Sequence, residues 1–215
     1  MTTTAASASS LRRRRTQDER SAETRRKLIQ AAIDTICDMG FANATTTDIA
    51  ERAGVSRGAL QHQFGTRHDL LTAVGDQLTV DMLALSEDLS TRGQSLDARV
   101  RHAIDYYWGV YSGKTFLAVL NIHLGLKNDQ GASTRLRRHF ANAYRGSDAP
   151  WMDLFGDTGL PRARLAALRR IVLSTLRGLA VARFLGIIAG AVDAELAMLQ
   201  AMIAAEMRRR PASAR

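Results

Sequence analysis

Between residues 40 and 69 the chain sets helix-ending and helix-starting signals so close together that only short helices fit between them. Gly40 suits the left-handed conformation at a helix end. Thr45, with Asp48 three residues on, is a variant of the capping box, in which a hydroxyl and a carboxylate take up the backbone amides left free at a helix start. Gly54 stops that helix, Ser56 can cap another, and Thr66 with Asp69 repeats the capping pattern for a fourth. Three helices in about thirty residues make one compact unit.

The flanking sequence is helical too. Ile29, Ala32, Ile33, Ile36 and Cys37 follow the spacing of one helix face, which predicts a first helix over residues 22–39. Leu71, Val74, Leu78, Met82, Leu85 and Leu89 predict that the fourth helix runs on past the small unit. Glycines at 93, 113 and 131 and the loop at 156–161 divide the rest into helices near 95–111, 114–127, 133–155, 161–189 and 193–209, with a kink or break expected at Gly146 and Pro150. With only 3 prolines in 215 residues, the expected fold is all-α: an N-terminal three-helix domain containing a helix-turn-helix and a C-terminal helical domain for ligand binding and dimerisation. The expected boundaries are a disordered basic arm over 1–20, the helix-turn-helix domain over 21–68, the sensing and dimerisation domain over 69–209 and a disordered tail over 210–215.

In the third helix, Leu60 and Phe64 lie four residues apart and should point inward with Ile49, Ala50, Ala53 and Val55, leaving Arg57, Gly58, Gln61 and His62 outside. Such a polar, small face suits the major groove of DNA. Its side chains can donate to guanine or bracket adenine, and Gly58 lets the backbone approach closely. Arg57 is the leading candidate for a base contact. Thr45 and Thr47, with the helix start at Thr66 and Arg67, would reach phosphates and fix register. An ordinary helical hairpin with a solvated face would share this spacing.

The net charge of +9 points to a polyanionic partner, but seven of the nine excess charges lie in residues 1–20 and 208–215. Residues 21–70 balance to zero, so the Arg12 to Arg15 arm would supply much of any non-specific attraction to DNA.

Gly40-Phe41, Thr45, Ile49-Ala50, Ala53-Gly54-Val55-Ser56, Leu60, Phe64 and Leu70-Leu71 together resemble the N-terminal domain of TetR-family transcriptional regulators, over about a quarter of the chain. The resemblance implies a homodimer that binds a palindromic operator through Thr45, Thr47, Arg57, Gly58, Gln61, His62 and Arg67, acting as a repressor released by a small-molecule effector. Two positions depart from the family pattern: Gln61 stands where tyrosine is usual, and Arg67 where lysine is usual.

For the C-terminal part, Leu165, Leu168, Val172, Leu176 and Leu179 trace one helix face, and Leu196, Leu199, Met202 and Ile203 another. Two such helices per subunit could form an intersubunit four-helix bundle, although the same stripes could pack within one subunit. Tyr106, Tyr107, Trp108 and Tyr111 cannot all face one core, so some are expected to line a pocket, although for each aromatic taken singly core packing outweighs ligand contact. The candidate ligand residues are Tyr107, Trp108, Tyr111, Phe116, His123, Trp151 and Phe155, with Asn121 nearby. An aromatic box beside Asp105 would suit a cationic ligand, unless Asp105 simply faces water.

No cofactor, metal site or membrane span is expected. Cys37 stands alone, the histidines at 62, 68, 102, 123 and 139 are unpaired in spacing, and there is no Gly-rich phosphate loop, HExxH or GxSxG. These features suit a cytoplasmic protein that is not an enzyme. The competing readings are a sequence-independent architectural DNA binder and, more remotely, an all-helical enzyme.

Overall fold

The computed structural model describes residues 4–84, 94–129, 131, 134 and 148–209. Among them are nine α-helices, one short 3-10 turn and no strand. The helices are α1 (Thr4–Met39), α2 (Thr46–Ala53), α3 (Arg57–Phe64), α4 (Arg67–Leu83), α5 (Leu96–Tyr111), α6 (Lys114–Gly125), α7 (Ala149–Phe155), α8 (Arg162–Phe184) and α9 (Asp193–Arg208). Leu85, Leu89, most of the helix expected over 133–155 and the tail at 210–215 lie outside the described residues. No helix among those described is long and apolar enough to cross a membrane, and no cluster of metal-ligating side chains is found among them.

The short helices begin and end for the reasons their sequence gives. Thr45 accepts the Asp48 amide at 3.2 Å while Asp48 accepts the Thr45 amide at 3.0 Å, closing the capping box of α2. Gly54 ends α2 at φ +67°, a conformation open to glycine and strained for other residues. Ser56 then caps α3 through the Ala59 amide at 3.1 Å, and Thr66 and Asp69 exchange hydrogen bonds at the start of α4. These bonds hold the carboxyls of Asp48 and Asp69 below the usual carboxylate range, in each case chiefly through the threonine hydroxyl.

One start differs from expectation. α1 begins at Thr4, so residues 4–20 are helical where a disordered arm was expected. The segment has no glycine or proline and is rich in alanine and arginine, so each added residue extends the helix at little cost. At Pro150, where a kink or break was expected, the proline stands in the first turn of α7. In the first turn its missing amide is no loss, because that amide has no partner within the helix.

The described residues form two compact units, one from Met1–Val74 and Ala118–Ala132, the other from Gly75–Leu117 and Ser133–Arg215. The first therefore extends beyond residue 68 to Val74 and takes in the second part of α6. Its core is Leu28, Ala32, Ile33 and Ile36 of α1, Ile49 and Ala50 of α2, Leu60 and Phe64 of α3, and Leu70, Leu71 and Val74 of α4, all buried. Burying each of the larger side chains is worth about 1.5–3 kcal/mol, ample to fix short helices that would not form alone.

The second unit buries Val100, Ile104, Tyr107 and Tyr111 of α5 with Trp151, Leu154 and Phe155 of α7. Leu165, Leu168, Val172 and Leu176 of α8 and Leu196, Leu199 and Ile203 of α9 complete this core. The leucine stripes considered for dimerisation thus pack within the chain itself, while Met202 stays exposed. Arg169, wholly buried on α8, pairs with Asp148 just before α7 and ties the two segments together.

Candidate nucleic-acid interface

The outward face of α3 is laid out as its sequence requires. Leu60 and Phe64 are buried, Ala53 and Val55 are half-buried, and Arg57, Gly58, Gln61 and His62 are exposed. Arg25 of α1 stacks on the Phe64 ring at 4.5 Å, covering the end of α3 from the inner side. The face is consequently held by two buried anchors while its four polar or small positions stand in solvent. At Gly58 an added Cβ would meet only the Ser56 hydroxyl, at 3.8 Å, so glycine there is not required by packing. Its absence of side chain leaves the α3 backbone open to a large partner.

Arg57 donates to the Thr47 hydroxyl, linking the starts of α2 and α3. Thr45 is exposed and Thr47 half-buried, so the three residues lie together at one edge of the unit. Gln61 donates to the Gly65 carbonyl, four residues on, which steers its amide along the end of α3. His62 is exposed beside it.

Arg67 is held more firmly than expected for a residue that only meets phosphate. Its guanidinium donates to the carbonyls of Phe41, at 2.9 Å, and Ala44, at 3.2 Å, and stacks 4.6 Å from the Phe41 ring centre. Partial burial pulls its pKa down. It thereby braces the loop that delivers Thr45 to the start of α2. This role was not read from the sequence, since the pairing spans residues far apart in the chain.

The Phe41 ring also meets Gly125 at the end of α6. A Cβ on Gly125 would lie 2.0 Å from Phe41 Cδ1, far inside contact distance. Gly125→Ala is therefore expected to displace the ring, loosen the Arg67 stack and lower the stability of this unit by about 1–3 kcal/mol. Urea denaturation would check it. An unchanged midpoint would show that the ring moves aside without cost.

The candidate ligand residues do not gather at one place. Tyr107, Trp151 and Phe155 are core residues in mutual ring contact, with Trp151 4.5 Å from Phe155 and 6.4 Å from Tyr107. Phe116 is buried edge-on against Tyr111 at 5.0 Å. His123 and Asn121 belong to the first unit, and the His123 ring bonds to the Val119 carbonyl at 2.9 Å. Trp108 and Tyr111 do border a cavity of about 180 Å³, with Ser112, Leu117, Ala180, Arg183 and Phe184. Asp105 accepts from Gln200 at 2.7 Å and is not among the lining residues, and partial burial raises its pKa.

Residues 28–74 match the family described as bacterial regulatory proteins, tetR family. Over these residues the chain is similar to the TetR family of regulators. The matched TetR-family residues coincide with the capped helices described above and end where the first unit leaves α4, at Val74. The transcriptional regulator CymR of Pseudomonas putida is 27% identical over 166 residues, covering 77% of this chain and 82% of CymR. The regulator BetI 1 of Chromohalobacter salexigens is 48% identical over 58 residues, 27% of this chain and 29% of its own length. Among solved structures, the fatty acid degradation regulator FadR of Bacillus halodurans superposes with a TM-score of 0.68 at 15% identity, covering 87% of this chain and 97% of FadR. That likeness concerns the fold. CymR and BetI 1 are both described as HTH-type transcriptional regulators.

Proposed function

We propose that this protein is a cytoplasmic, homodimeric repressor that binds a palindromic operator and is released from it by a small molecule. The observation that carries the DNA-binding part is the exposed face of α3, Arg57, Gly58, Gln61 and His62, standing over the buried Leu60 and Phe64. Arg57 and Gln61 would read base edges, and Thr45, Thr47 and Arg67 would hold phosphates near the starts of α2 and α4. Selection of bound sequences from random duplexes tests this reading. An enriched inverted repeat is expected, whereas equal retention of all sequences would favour an architectural DNA binder.

Dimerisation is supported by what α8 and α9 leave in solvent. The exposed positions Ala194, Ala197, Met198, Ala201, Met202 and Ala205 form one uncharged face of α9. On α8, Ile171, Ser174, Thr175 and Gly178 are likewise exposed, small or apolar. A helix face with no charge over three turns is out of place in water, and small residues let a second helix approach closely. Replacing both Met198 and Met202 by glutamate is expected to convert the dimer to a monomer without unfolding it, because both side chains are more than half exposed. Sedimentation measures this directly. A double variant that remains dimeric would remove α9 from the interface.

The effector part rests on the cavity at Trp108 and Tyr111 and on two helices, α4 and α6, that each have residues in both units. A ligand that binds better in one arrangement of those helices than another would change operator affinity by that difference.

A further inference from the structure

The cavity beside Trp108 carries more chemical information than its size. Its lining is apolar at Trp108, Tyr111, Leu117, Ala180 and Phe184, hydroxylic at Ser112, and charged only at Arg183. The Arg183 guanidinium lies 5.7 Å from the centre of the Trp108 ring, so the charge and the flattest apolar wall are side by side. A second arginine, Arg177, sits one and a half turns earlier on α8, 5.7 Å from the Tyr111 ring. Among the described residues no carboxylate lines the cavity, and Asp105, the nearest acid on α5, is engaged with Gln200.

We propose that this cavity binds a small monoanion, a carboxylate on a compact apolar body, with the body against Trp108 and Tyr111 and the carboxylate on Arg183. The inference deepens the effector reading given above and rests on it for its regulatory meaning. The ligand's charge is opposite to that of the cation an aromatic box beside Asp105 would have suited. Three physical points support it. The cavity's single fixed charge is positive, and a guanidinium matches a carboxylate in two parallel hydrogen bonds. A cation in the same place would meet Arg183 and no acid. The volume, about 180 Å³, is below the roughly 300–1,000 Å³ of sites for drug-sized molecules, which restricts the occupant to one ring or a short chain.

The test is calorimetric titration of the full-length protein with benzoate, benzamide and benzylamine, repeated with Arg183→Gln and with Arg162→Gln, an exposed arginine on the same helix that does not line the cavity. Benzoate is expected to bind about tenfold more tightly than benzamide, the difference typical of a charge-assisted over a neutral hydrogen bond. Arg183→Gln should abolish that preference and Arg162→Gln should keep it. Quenching of tryptophan fluorescence by benzoate but not benzamide in the unaltered protein gives a readout that needs no variant. Absence of benzoate binding, equal binding of the amide, preference for the amine, or a preference that survives Arg183→Gln would each overturn the proposal. Release of the selected operator is measured separately. Arginine-dependent benzoate binding that leaves the DNA complex intact would preserve the site and refute effector control. Release by some other compound, with no benzoate binding, would do the reverse.

Discussion

Trp151→Ala is expected to lower the stability of the second unit by about 3–5 kcal/mol, the cost of emptying the site of a large, fully buried aromatic side chain. Trp151 is 0% exposed, its ring packs against Phe155 and Tyr107, and its indole N–H donates to the Leu165 carbonyl at 3.0 Å. The ring therefore fastens α7 to both α5 and α8. Loss of that many contacts should depress Tm by roughly 10 °C in a chain of this size. Trp151→Phe keeps most of the buried area and loses the hydrogen bond, so it should retain more than half of the stability lost in the alanine variant. Differential scanning calorimetry of the two variants separates the terms. If the alanine variant melted within 2 °C of the parent, Trp151 could not be the centre of this core.

Trp151 also shows why sequence could not separate core from pocket. Tyr107 was a candidate for ligand contact because too many aromatics crowd α5 for one face, and Trp151 and Phe155 because, on neighbouring segments, they could complete a pocket. Their large apolar area makes the interior the cheaper place for them, and Trp108 alone of the α5 aromatics combines partial exposure with an arginine partner at the cavity. Composition gave no sign of which ring would go where. That choice depends on α8, which supplies Arg183 from far along the chain.

Signals that act over three or four residues were legible. Thr45 with Asp48, Ser56 with Ala59 and Thr66 with Asp69 define helix starts through bonds made within a single turn, so reading them requires no knowledge of the rest of the fold. Periodicity was legible with a small error of phase: on α1 the buried set includes Leu28, Ala31 and Thr35, while Ile29 and Cys37 are only partly covered. A stripe of apolar residues gives the direction of burial, not the identity of what buries it. Leu165, Leu168, Val172 and Leu176 fill the chain's own core, and what α9 leaves in solvent is its alanine and methionine face. Contacts between distant residues were not legible at all, as Arg67 on Phe41 and Arg164 on Glu206 demonstrate.

Arg57→Ala is expected to weaken binding to the selected operator by about 1–3 kcal/mol, roughly five- to 150-fold, while leaving Tm within a degree or two. The side chain is exposed, so its removal opens no cavity. It does break the bond to Thr47, which could alter the start of α2 without any direct effect on DNA. Thr47→Val separates the two possibilities, because it breaks the same bond and leaves the guanidinium in place. If Arg57 reads a base, the alanine variant loses affinity mainly for the operator and tolerates substitution at one position of each half-site, whereas Thr47→Val costs little specificity. Arg57→Lys should then fail to restore preference, since an ammonium cannot span two acceptors on a guanine edge. If Arg57 instead meets phosphate, affinity would fall uniformly across sequences and the salt dependence would lose about one ion's worth of slope. Operator affinity unchanged within twofold in Arg57→Ala would mean that the exposed face of α3 is not the surface that reads DNA.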